Sequence, residues 1–199
     1  MKRCVLVIPD AGPLNSLWVA DRLDLLLRLE MPIVVVDAVY DEVTGDPAYP
    51  KDAEVKAFID SNRPPFAIEQ TDIGVYERER RLFGKPRKRN AGELAMMDFL
   101  SDGGGVRRYL DSNDPLLVLF EDQGMRVFRR PPNMHLLSTV GLLRGMEKVG
   151  LIRSADTIIE EMTNPTKPGR RTEDRRAFAD LPGGVDEPAT IGSDWTPRL

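Results

Sequence analysis

The sequence predicts an α/β fold built on a parallel, right-handed βαβ sheet. Three short, unbroken apolar runs point to it: "CVLVI" at 4–8, "IVVV" at 33–36 and "LLVLF" at 116–120. Such runs, aliphatic or β-branched throughout, mark parallel strands covered on both faces. Helical periodicities lie between them, and strands alternating with helices imply crossovers of one hand. At 199 residues, 41% apolar and 30% charged, the chain is long enough for one domain with a real core and has ordinary globular composition.

In chain order, the first strand runs straight into Asp10 and a Pro-punctuated turn. Leu23, Leu26 and Leu27 then share one face of a helix expected within 19–31. After the second strand, Val55, Phe58 and Ile59 mark another helix, and Glu93, Met97 and Leu100 share a face in a third. "SDGGGVRRY" at 101–109 lacks the lysine and hydroxyl residue of a phosphate-binding loop and reads as a turn. After the third strand, residues 138–152 read as a late helix closed by Gly150, and "ADTIIEEM" as a last one. These elements define a domain over 1–162. Residues 163–199, rich in Pro, Gly and charge without a sustained apolar period, read as an extension that is flexible or draped over the domain, with Trp195 a candidate anchor.

Composition narrows the function classes. A net charge of −4 argues against a wholly basic nucleic-acid coat and leaves room for a local basic patch. One cysteine, Cys4, excludes an internal disulfide framework and reads as a small core residue in a reducing compartment. The opening "MKRCVLVIPD" has no small-residue cleavage site and is too short to span a bilayer, so a cytoplasmic location without membrane insertion is expected.

Acids recur where the strands end. Asp10 lies two residues past the first run, Asp37 directly follows the second, and Glu121 and Asp122 follow the third. Glu42 and Glu93 add helix-borne carboxylates. Ligands of parallel sheets bind at the carboxyl ends of the strands. Four carboxylates sharing that space repel one another unless cations are present, and hard divalent ions, Mg2+ or Mn2+, suit oxygen ligands. Each acid also has a structural reading. Asp37 fits a helix N-cap before "AVYDEV". Glu93 stands three residues after Asn90, a capping-box spacing, yet shares a face with Met97 and Leu100 that turns its carboxylate towards the domain.

The ordered set "VIPDAGPLNSL", "IVVVDAVYDEV", "NAGELAMMDFL", "LLVLFEDQGMR" and "STVGLLRGMEKVGLI" resembles the PIN-domain nucleases, especially the toxin-like branch of prokaryotic toxin-antitoxin modules. The resemblance covers about residues 4–162. It implies a three-layer α/β/α sandwich with a mainly parallel sheet and a metal-binding, catalytic quartet of Asp10, Glu42, Glu93 and Asp122, with Glu121 the alternative fourth ligand. It further implies an Mg2+- or Mn2+-dependent ribonuclease whose partners are RNA, an antitoxin protein and a second copy in a homodimer. Two positions depart from the family pattern. Phe120 stands where a Ser or Thr commonly precedes the fourth acid, and "DAGPLN" lacks the hydroxyl often found near the first, where Asn15 offers a polar contact.

The implied reaction is phosphodiester hydrolysis by metal-activated water. "RERRLFGKPRKRN" at 78–90 concentrates basic residues just before the Glu93 helix, with Arg126, Arg129 and Arg130 after Asp122. Arg81, Lys85, Arg87, Lys88, Arg89 and Arg126 are therefore candidates to grip a phosphate backbone, with Phe83 available to stack on a base. A solvated helix face and surface loop explain the cluster equally well. His135, the only histidine, lies outside the quartet and reads as structural. A non-catalytic PIN-like scaffold that binds RNA or protein is the alternative, favoured by Phe120 and the long extension. A phosphoacceptor receiver domain is disfavoured, because Asp10 has no paired acid and no lysine follows a late strand.

Overall fold

A computed structural model of the chain describes residues 5–101, 103–111, 114–121 and 134–174. The three expected strands form as β1 (Leu6–Pro9), β2 (Ile33–Val36) and β4 (Leu116–Phe120), every residue of them buried. Two more strands, β3 (Phe66–Glu69) and β5 (Met134–Ser138), were not expected from the sequence. Both are sheet edges in the order β3-β2-β1-β4-β5, in which all four pairings are parallel. Covered less completely than the central strands, they lack a continuous apolar run, and their burial only partly follows hydrophobicity. His135 sits in β5 opposite Leu117 of β4, a structural place.

Helices flank the sheet as a three-layer α/β/α sandwich. One group consists of α1 (Ala11–Val19), α6 (Thr139–Lys148) and α7 (Ala155–Thr163), the other of α2 (Asp37–Val43), α4 (Asp72–Leu82) and α5 (Ala91–Leu100); α3 (Pro50–Ser61) packs on α1 and α2. No described helix is long and apolar enough to cross a membrane.

The stretch after Asp10 corrects the expected boundaries. Asp10 stands at the N-cap position of α1 and the helix starts at once, with Pro13 in its first turn, where the missing N–H would have had no intrahelical partner. The helix stops before the leucine run. Asp21 adopts φ 58°, and the bonds Asp21 N–H to Trp18 O (2.9 Å) and Arg22 N–H to Leu17 O (2.8 Å) complete a Schellman cap. Leu23–Leu29 continue as a separate 3-10 helix, which buries Leu23 and Leu26 as expected but leaves Leu27 half-buried and buries Leu25 and Leu29 instead. Helical spacing located the buried face only in part, because the segment is 3-10 rather than α-helical, and it missed the break, which is set by one left-handed residue.

Within the expected turn, residues 103–109 lead into a 3-10 helix, Gly105–Arg108. A side chain on Gly104 would overlap the carbonyls of Asp98 and Phe99, which close the end of α5. Beyond α7, Arg170 lies on the Trp18 ring at 3.7 Å and donates to Glu54 at 2.7 Å and Asp21 at 3.3 Å. The described part of the extension is thereby fastened across α1 and α3. Cys4 and Trp195 lie outside the described residues.

Candidate active site

The strand order reverses at β1: the chain first adds β2 and β3 on one side, then returns to place β4 and β5 on the other. At such a switch point the loops leaving adjacent strands diverge and open a crevice at the carboxyl edge. Here the switch point lies between β1 and β4, whose ends are followed by Asp10 and Glu121.

Asp10 is 1% exposed, and its backbone N–H donates to Leu119 O at 2.8 Å, locking the end of β1 to β4. Its side chain makes no cap bond to its own helix. It reaches towards α5 instead. A methyl group on Gly92 would meet Val39 Cγ2 at 3.2 Å, Asp10 Oδ1 at 3.4 Å and Glu42 Oε2 at 3.6 Å, so carboxylates from the end of β1 and from α2 approach one point at the start of α5, beside a Val39 methyl. Glu93, the next residue, is buried in that first turn. Asn90 makes no side-chain cap bond, so the capping-box geometry is not realised and Glu93 faces inward with its helix's apolar side. The buried face of the helix is carried by Ala95, Met96 and Phe99, while Met97 and Leu100, from which the face was read in the sequence, are half-buried.

Glu121 is buried behind the end of β4, held by Ser16 Oγ at 2.9 Å and Thr139 Oγ1 at 2.5 Å. Gly12 makes room for it: a side chain there would touch Glu121 Cβ at 3.0 Å and Oε2 at 3.1 Å. Asp122, its neighbour and the sequence-based fourth ligand, lies outside the described residues, as do Arg126, Arg129 and Arg130. Asn15 is buried in α1, and its Oδ1 has no hydrogen-bond partner among the described residues. Phe120, 1% exposed, is a core residue of β4.

Asp37 is set apart from these acids. Its Oδ1 accepts from Ala38 N–H (3.0 Å), Thr71 N–H (3.2 Å) and Thr71 Oγ1 (2.8 Å), tying the start of α2 to the start of α4. Gly74 is the matching cradle, since any side chain there would overlap both carboxylate oxygens. Burial raises its pKa against the opposing pull of Thr71 and Arg78. Asp37 is therefore a structural pin, as the N-cap reading foresaw in kind, although it sits inside the helix rather than before it.

The basic cluster is drawn into this edge by acids. Arg78 grips Asp41 with two bonds, 2.8 and 3.0 Å, and Arg81 pairs with the same carboxylate. Burial works against ionised Asp41, but the hydrogen bonds and charges of Arg78 and Arg81 outweigh it and hold the pKa below the ordinary value. Arg87 Nη2 donates to Glu42 Oε2 at 2.9 Å and to Ala38 O at 2.5 Å. Lys88 lies 3.9 Å from Glu77 and over the Tyr76 ring. Lys85, Arg89 and Phe83 are exposed, and neither base is ion-paired among the described residues.

The donor set is all oxygen, which suits a hard divalent ion, and Gly92 leaves a cradle that a side chain would fill. Among the described residues, however, no three such side chains form a closed metal-binding group. The compensation comes from the chain itself: Arg87 faces Glu42, and two hydroxyls face Glu121. Ser16 and Thr139 were not singled out in the sequence, since they stand 105 and 18 residues from the glutamate they serve. The glycines at 12 and 92, each beside a candidate acid, were the available signal.

Comparison with family models, curated proteins and solved structures finds no match to this chain.

Proposed function

We propose that this chain is a PIN-type, metal-dependent ribonuclease. The observation that carries the reading is the approach of Asp10 and Glu42 to one point at Gly92, beside buried Glu93, at the switch point of a parallel sheet. Asp10, Glu42 and Glu93, with Glu121 or Asp122, would hold one or two Mg2+ or Mn2+ ions. When bound, these supply Lewis acidity that lowers the pKa of the attacking water and stabilises the leaving oxygen. The carboxylates hold position and need not act as nucleophiles. Ser16 and Thr139 orient Glu121 and provide, from other elements, the hydroxyls that position 120 lacks. Lys85 and Arg89, exposed in the segment that leads into α5, would meet the phosphate backbone. The setting that goes with this reading is cytoplasmic, with the chain acting as the toxin of a toxin-antitoxin pair, opposed by an antitoxin protein and assembled as a homodimer.

A second reading, a non-catalytic scaffold for RNA or protein, is favoured by the Arg87–Glu42 pair and the two hydroxyls on Glu121, which compensate acids without an ion. One experiment separates the two. Purified protein is expected to cut single-stranded RNA with Mn2+ or Mg2+ and to stop in EDTA. Mn2+ is expected to raise the melting temperature of wild type and not of Asp10→Asn, because only a ligand of the native state stabilises it. Equal melting responses with no cleavage under either metal would replace the nuclease with the scaffold.

A further inference from the structure

We infer that Arg87 is an internal cation plug of the acidic site, which must leave Glu42 before a divalent ion can take it, and that a backbone phosphate of the nucleic acid is what draws it away. The inference rests on the proposed metal site and specifies how that site would be loaded.

The geometry comes from one loop. After α4 ends, Gly84 adopts φ 70° and the chain turns back through Pro86, delivering Arg87 to the half-buried side of α2. One nitrogen, Nη2, contacts both Glu42 Oε2 and Ala38 O. The same Oε2 lies 3.6 Å from the position a methyl group on Gly92 would take, and Asp10 Oδ1 lies 3.4 Å from that position. A positive charge therefore already sits on the carboxylate that a metal would need. Two cations competing for one carboxylate bind in opposition, each lowering the other's apparent affinity.

Arg87 is also able to leave. Its side chain is 26% exposed and that of Glu42 17%, so the pair is partly solvated and of modest strength. A guanidinium matches phosphate as well as carboxylate, in planar two-point geometry. Lys85 and Arg89, exposed on the same loop, would bring the polyanion to it. The exchange conserves charge: Arg87–Glu42 separates into Arg87–phosphate and metal–Glu42. No bond to carbon or phosphorus changes in this step. Metal binding and nucleic-acid binding are then coupled positively through one residue, and the protein without nucleic acid binds metal measurably but more weakly than its complex.

The test measures Mn2+ affinity calorimetrically on the full chain, with and without a 2′-O-methyl RNA oligonucleotide that resists cleavage. Arg87→Gln is expected to bind Mn2+ about two- to fivefold more tightly than wild type, the effect of removing a competitor of partly exposed ion-pair strength. The oligonucleotide is expected to tighten Mn2+ binding to wild type and to do so much less for Arg87→Gln. Arg89→Gln removes the same charge from the same loop without touching Glu42 and is expected to change Mn2+ affinity less than twofold. In the Glu42→Gln background, Arg87→Gln is expected to have no further effect. Should Arg87→Gln misfold by circular dichroism, Arg87→Lys, which keeps the charge and loses the fork, is expected to give an intermediate gain.

Unchanged or weaker Mn2+ binding in Arg87→Gln, or an equal gain in Arg89→Gln, overturns the plug. The nuclease reading survives that result if wild type binds Mn2+ and Asp10→Asn does not. Absence of Mn2+ binding from both wild type and Arg87→Gln overturns the plug and the metal site together.

Discussion

Arg170 and Arg87 each reach a glutamate from a distant part of the chain, and their surroundings give the two pairs different consequences. Arg170 has a side chain 5% exposed, stacked on Trp18 at 3.7 Å while bridging Glu54 and Asp21. Arg87 is 26% exposed and meets Glu42 with one nitrogen, shared with a carbonyl. A guanidinium pressed on an aromatic face and shielded from water gains from both packing and charge, whereas a solvated pair gains little. The first arrangement fastens a segment; the second holds a charge that another ligand can claim. Between them stands Asp41, gripped bidentately by Arg78 and again by Arg81, a surface pair made firm by geometry.

The comparison can be broken at three strengths. Arg170→Ala should have the largest effect, a loss of about 2–3 kcal/mol in urea unfolding, since it removes a desolvated cation–π contact and the packing of its stem. A loss under about 0.5 kcal/mol, the range of ordinary surface substitutions, would show that the extension is not fastened there.

Asp41→Asn should cost about 1 kcal/mol near neutral pH. Because the native pKa of Asp41 is depressed, the stability it contributes is present above the ordinary aspartate value of 3.8 and is lost as the pH falls through the lower native value. Unfolding curves of variant and wild type should therefore converge in acid; a constant gap down to pH 2 would assign the effect to packing rather than charge.

Arg87→Gln should be the mildest, about 0.5 kcal/mol without metal and less in high salt. If it rivals Arg170→Ala, the two pairs are alike and Arg87 is structural.

Much of the frame was legible because burial on both faces writes itself into a strand. β1, β2 and β4 read directly from their apolar runs, and the face of α3 from the four-residue spacing of Val55 and Ile59. Edge strands β3 and β5 carried no such record, and the end of α1 turned on the conformation of Asp21 alone. Among the acids, the position of Asp10, Asp37 and Glu121 after strands was visible, but their roles were not. Asp37 and Asp10 look alike in the sequence; Thr71 and Gly74, more than thirty residues away, make the first a pin.

The sequence by itself determined which strands fill the centre of the sheet and which residues bring negative charge to its carboxyl edge, because hydrophobic period and strand ends are local properties. Only the tertiary structure decided which charges meet. Arg87 and Glu42 are 45 residues apart, and Ser16 and Glu121 are 105 apart. Electrostatic and hydrogen-bond partners are chosen by distance in space, and that distance exists only after the sheet order has reversed at β1.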